Sequence, residues 1–100
     1  MDEYTVKLMQ RAYNDLDDIY NYIADDFKEI GTAEKMADSL EEAILSLGEM
    51  PYRGSIRRTG AFANRGYRQL FVKNFTIIYR IDEPGKTVIV VTVRYSRSSF

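Results

Sequence analysis

The side chains able to do chemistry are mostly arginines, and they crowd the second half of the chain. Residues 51–100 hold ten bases, Arg53, Arg57, Arg58, Arg65, Arg68, Lys73, Arg80, Lys86, Arg94 and Arg97, against only Asp82 and Glu83. Residues 1–50 hold four bases against thirteen acids. The balances, −9 and +8, nearly cancel to a net charge of −1. An arginine fork matches phosphate oxygens and keeps its charge at any physiological pH. A half this basic therefore suits an anionic partner: RNA, DNA, a ribosome or an acidic protein. The bland alternative is that part of this charge faces the acidic half across the fold.

The same composition narrows the possible reactions. There is no histidine and no cysteine. That removes the commonest general acid–base, the thiolate nucleophile, thiolate metal sites and disulfides. Cutting RNA through a 2′-hydroxyl needs a proton acceptor, a stabilised phosphate and a proton donor. Arginine supplies the second and is a poor base. Acid and base would have to come from Tyr67, Tyr95, Lys73 or Glu83. Asp82-Glu83 reads as a hairpin turn, not a metal site, and no glycine-rich phosphate loop joins a strand to a helix. No cofactor and no metal are expected.

The elements that must position these residues follow from apolar spacing. One hundred residues make a single domain, residues 1–100, of ordinary globular composition. Tyr4, Val6 and Leu8 alternate as a first strand. Ala12, Leu16, Ile19, Tyr20, Ile23 and Phe27 then fall at helical spacing. Gly31 is expected to end that helix, and Thr32 to cap a second one carrying Ala33, Met36, Ala37, Leu40, Ile44 and Leu47. Gly48 and Pro51 mark its end, so the two helices form an antiparallel hairpin with the acids mostly on its solvent faces. Pro51 to Gly66 is a long glycine-punctuated loop, in which Ser55–Arg58 could add a short edge strand.

Three strands complete the chain: Tyr67–Val72, Phe75–Asp82 and Thr87–Tyr95. Lys73-Asn74 is a tight turn in which Asn takes positive φ, and Glu83–Lys86 is the next turn. Val88–Val91 is apolar on both faces, which places the last strand in the sheet interior. Ser96–Phe100 is a short tail. The expected fold is α+β: an N-terminal strand and an antiparallel helix hairpin packed on one face of a mainly antiparallel sheet, in the order β-α-α-β-β-β-β. Phe75, Ile77, Tyr79 and Ile81 should lie under the helices, with Thr76, Ile78 and Arg80 on the open face. Ile78 is then an apolar residue left for a partner to bury.

Position singles out Arg80 on that open face, and Arg94 and Tyr95 at the last strand's end, as candidate catalytic residues. Arg53, Arg57, Arg58 and Arg65 in the loop, with Lys73 in the turn, are candidates for binding nucleic acid or another target. No run approaches the ~18 apolar residues of a membrane span. Met1-Asp2-Glu3 lacks the apolar core of a signal peptide. A cytoplasmic protein with no membrane partner is expected.

Tyr67-Arg68-Gln69-Leu70, Val72 to Asp82, and Val91-Thr92-Val93-Arg94-Tyr95-Ser96-Arg97 together resemble the RelE/ParE superfamily of toxins from type II toxin–antitoxin modules. The first strand, the acidic hairpin and Met50-Pro51-Tyr52-Arg53 are similar to that family too, so the resemblance covers nearly the whole chain. It implies a RelE/ParE-like fold with a basic concave sheet face, and a toxin that arrests growth and is neutralised by a cognate antitoxin. It also implies one of two targets: DNA gyrase for ParE-like members, or the ribosome and its mRNA for RelE-like endonucleases. Arg68 matches a widespread family arginine, and Arg97 falls where both branches keep a C-terminal base; both join the candidate catalytic set by this resemblance.

Nuclease members usually carry an arginine after the middle-strand aromatic, where this chain has Thr76, and some end in His-Tyr, where it reads Ser96-Arg97. These departures favour the ParE-like branch. The RelE-like nuclease and a non-toxic RNA- or DNA-binding module are the alternatives.

Overall fold

The computed structural model describes residues 3–26 and 30–97. The expected alternation at the start forms β1 (Thr5–Leu8). Helix α1 (Gln10–Asn21) follows and widens into a π-helical turn, Tyr22–Asp26. Helix α2 spans Ile30–Ser46. Strands β2 (Ser55–Ile56), β3 (Arg68–Val72), β4 (Phe75–Asp82) and β5 (Thr87–Tyr95) complete the chain.

The five strands form one sheet in the order β1-β5-β4-β3-β2. Only the β1–β5 pair is parallel; the others are antiparallel. Strand β5, apolar on both faces over Val88–Val91, thus lies inside the sheet between β1 and β4. Its pairing with β4 slips at Ile78/Tyr79: Ile78 faces Thr92 while Tyr79 faces Val90, which leaves Val91 as the extra residue of a bulge. The slip lets Val88, Val90 and Val93 all reach the core.

The hairpin covers one face. Ala12 of α1 and Leu40 and Ile44 of α2, with Leu47, pack on Leu70, Phe75, Ile77, Tyr79, Val88, Val90 and Val93. Area removed from water at about 25 cal/mol per Å² makes this the dominant source of stability. No helix among the described residues is long and apolar enough to cross a membrane.

Three expectations need correction. Gly31 does not end the first helix, and Thr32 does not cap the second, because α2 already runs from Ile30. Gly31 has no positive φ, so it continues a right-handed turn where a C′ glycine would reverse it. The joint, residues 27–29 with Phe27, lies outside the described residues, as do Met1-Asp2 and the end of the tail, residues 98–100. In the β3–β4 turn the positive φ belongs to Lys73, at 54°, not to Asn74. The twist of a two-residue hairpin places the left-handed residue first.

The third correction concerns Ile78, which is fully buried and offers no partner an apolar surface. Its cross-strand neighbours Gln69 and Thr92 are engaged from above by Arg57 of the loop and Asp15 of α1. The helical acids lie mostly on solvent faces, as expected, but Asp15 turns to the sheet. Beyond Leu8, β1 no longer pairs with β5. There Asp15 accepts the Val93 N–H at 3.1 Å and the Thr92 hydroxyl, closing the exposed strand edge.

Candidate functional site

The sheet face away from the helices carries Arg80 and Arg94. Strand alternation turns Arg80 to this face, and the pairing Arg94↔Thr76 puts Arg94 on it too. Arg80 is exposed and makes no hydrogen bond or ion pair among the described residues. Arg94 Nε donates to Thr92 Oγ1 at 3.4 Å. Between the two arginines the floor is closed by buried Thr76, Ile78 and Thr92. Thr76 and Ser96 share a hydrogen bond of 2.8 Å. The three floor residues are themselves uncharged; the charged groups bonded beside them are the Asp15 carboxylate on the Thr92 hydroxyl and the Arg57 guanidinium on Gln69.

Arg68 and Tyr95 belong to the opposite face. Arg68 pairs with Tyr79, a core residue, and so points to the helix side. Its Nη2 donates to Gly54 O at 2.6 Å and to Tyr52 O at 3.3 Å, and its guanidinium lies 5.2 Å from the Tyr52 ring centroid. Its Nε is buried without a hydrogen-bond partner. Tyr95 meets Phe75 edge-on at 5.8 Å. Together with Tyr22, Ile23 and Met36 they line an apolar groove of about 590 Å³. Arg97 is exposed in the turn after β5. Four of the five candidate catalytic residues are thus split between the two faces, and Arg97 lies beyond the strand end.

The loop bases are divided as well. Arg53 Nη1 donates to Ser46 Oγ at 2.6 Å, joining the loop to the end of α2. Arg57 is buried: Nε donates to Ala61 O at 3.0 Å and Nη1 to Gln69 Oε1 at 2.9 Å. Arg58 and Arg65 are exposed and unpaired among the described residues. Lys73 is exposed at the β3–β4 turn beside α2, where it lines a shallow groove with Thr32, Lys35 and Asp38.

Sequence reasoning missed a polar cluster that ties three distant segments. Glu83 accepts the Tyr4 hydroxyl at 2.8 Å and the Tyr52 hydroxyl, and Lys86 Nζ lies 3.5 Å from the same carboxylate. The hydrogen bond to Glu83 holds the Tyr4 hydroxyl above its ordinary pKa. Each tyrosine read simply as part of a strand or a loop, so nothing local signalled the meeting. Among the described residues no group of three or more carboxylates gathers to hold a metal ion.

A second apolar groove, of about 480 Å³, runs between the helices. Leu16, Ile19, Leu40 and Ile44 line it, with Tyr13 and Leu45 exposed at its margin and Asp17 and Glu41 on its rim.

This architecture is shared with known toxins. The chromosomal ParDE system of P. aeruginosa includes a chain that superposes with a TM-score of 0.76 at 21% identity, covering 95% of this chain and 98% of that one. A chain of the Mycobacterium tuberculosis RelBE2 toxin–antitoxin complex gives 0.69 at 20% identity, covering 93% and 98%. The E. coli RelBE complex gives 0.66 at 11% identity, covering 95% and 99%. At these identities the likeness is one of fold. No curated protein sequence matches significantly. The sequence profile of the ParE toxin of type II toxin–antitoxin systems matches residues 6–100. Match and fold agree over nearly the whole length: the chain belongs to the ParE toxin family of type II toxin–antitoxin systems.

Proposed function

We propose that this toxin arrests growth in the cytoplasm by binding DNA gyrase through its open sheet face, and that a cognate antitoxin neutralises it. One observation carries the choice of target. The floor between Arg80 and Arg94 consists of buried, uncharged Thr76, Ile78 and Thr92. Tyr95, the nearest strand-end acid–base candidate, belongs to the other face, with Phe75. Two cations on an uncharged floor, with the Asp15 carboxylate beside it occupied by the Thr92 hydroxyl and the Val93 N–H, favour anion binding over proton transfer. RNA cleavage would need charge and a proton relay at the reacting phosphate.

The antitoxin reading draws on the relatives, whose solved structures include toxin–antitoxin complexes. The helix grooves suit it better than the open face does, because Ile78 is covered while Tyr13 and Leu45 are about half exposed. An amphipathic partner helix would lay its apolar side between α1 and α2. Induced expression should stop growth with filamentation and a DNA-damage response, reversed by co-expressing the adjacent antitoxin gene. Immediate loss of translation with cut messages would favour the ribosome instead. Harmless expression of soluble protein would overturn both.

A further inference from the structure

We propose that the loop from Arg57 to Tyr67 is a preformed clamp for a nucleic-acid phosphodiester, with Arg58 and Arg65 as its two jaws and Arg57 as the residue that positions them. The loop closes on itself at its neck. Asn64 N donates to Arg57 O at 3.0 Å, and Arg57 N donates to Tyr67 O at 2.9 Å. These bonds set Arg58 and Arg65 at neighbouring backbone positions across the neck. Both side chains are exposed, and neither finds a counter-charge among the described residues. Two exposed cations carried on one closed neck favour an anion there over a second positive group.

The loop's shape is imposed on it. Four of its residues take positive φ: Gly60 at 76°, Phe62 at 67°, Asn64 at 57° and Gly66 at 84°. Glycine does this freely and asparagine tolerates it, but a phenylalanine there is an outlier. Such strain persists only where surroundings over-determine it, and it concentrates at ligand clamps. Two contacts hold it here. The buried Arg57 guanidinium grips Ala61 O and Gln69 Oε1, and the Phe62 ring packs edge-on against Tyr67 at 5.1 Å. Gly66, between Arg65 and Tyr67, has nothing within 4 Å of where a Cβ would stand, so a ligand's backbone can approach closely.

The occupant follows from the geometry of charge. Guanidinium forks match phosphate oxygens two at a time. A nucleic-acid strand offers a phosphate about every 3.4 Å along its axis, so both jaws are filled by one polymer. This inference deepens the gyrase reading and rests on it for its biological occupant, the DNA that gyrase holds.

The test is fluorescence anisotropy of the whole protein against a labelled DNA duplex and a single-stranded RNA of equal length, across a salt series. Each phosphate contact contributes about one unit to the slope of log K against log salt. The double variant Arg58→Ala/Arg65→Ala, still folded by circular dichroism, should therefore lose about two units of slope. Arg57→Gln, which keeps both jaws but frees the loop, should also flatten the slope. A stronger effect on the duplex points to DNA as the occupant, and a stronger effect on the single strand to RNA. An unchanged slope in the folded double variant overturns the clamp, as does polyglutamate competing as well as DNA. Gyrase inhibition is measured separately: a lost clamp with gyrase still inhibited refutes the clamp alone, and an intact clamp without inhibition refutes only the gyrase target.

Discussion

Tyr79, fully buried in β4, accepts the backbone N–H of Gly54 on its hydroxyl at 3.1 Å and donates that hydroxyl to Pro51 O at 2.8 Å. One side chain thus holds both ends of the Pro51–Gly54 segment to the sheet. That segment in turn presents Tyr52 to Glu83 and Gly54 O to Arg68.

Tyr79→Phe keeps the ring and deletes both bonds, leaving the Gly54 N–H and the Pro51 carbonyl buried without partners. The expected cost is about 1–3 kcal/mol. Urea denaturation reads it as a lower midpoint at unchanged slope. A midpoint equal to wild type would contradict the bonding.

Two glycines should respond to alanine with opposite signs. A Cβ on Gly54 would stand 2.4 Å from Gln69 O and 2.6 Å from the Tyr79 hydroxyl, whereas one on Gly31 meets nothing within 4 Å. Gly54→Ala should lose about 1–3 kcal/mol by overpacking. Gly31→Ala, within α2, should gain about 0.4–1 kcal/mol. Thermal melts of the two variants check the pair.

Asp15 is the one acid among the described α1 residues that reaches the sheet, through Val93 N and Thr92 Oγ1. Asp15→Ala should cost about 1–3 kcal/mol. Asp17→Ala, on the groove rim, should stay within about 0.5 kcal/mol of wild type. Equal midpoints for both variants would argue against the edge-closing role.

Donation to the Glu83 carboxylate holds the Tyr4 hydroxyl above its ordinary pKa of 10.0. A raised pKa favours the protonated form in the folded state. Its contribution is complete below the unfolded pKa and is lost as pH rises through the folded one. In a ¹³C-tyrosine pH titration one ring should turn over later than the exposed tyrosines. Glu83→Gln should bring that ring back toward them, and no late-titrating ring in the wild type would refute the assignment.

The sequence made the layers legible because helix and strand periods sort the same apolar residues differently. Leu40, Ile44 and Leu47 could only line a helix, and Phe75, Ile77 and Tyr79 only a strand face. The bulge was hidden because Val90 and Val91 are alike, so a slip changes no pattern. Ile78 stands on the face that alternation assigns it but is buried there, because alternation does not say what crosses a face. Arg57 and Asp15 come from distant segments, and no local spacing announces their contacts with Gln69 and Thr92. The arginines stand out in the sequence by charge, by strand position and, for Arg68 and Arg97, by the family resemblance. Charge could not reveal that Arg68 serves the Tyr52–Gly54 backbone while Arg80 faces solvent without a partner among the described residues.

Supercoiling by purified gyrase is the decisive measurement. Wild-type protein should block it, while Arg80→Ala/Arg94→Ala, with an unchanged melting temperature, should require at least tenfold more protein, a loss of about 1.4 kcal/mol in binding. Full supercoiling in the presence of wild-type protein, or equal inhibition by the double variant, would contradict an open basic face acting on gyrase.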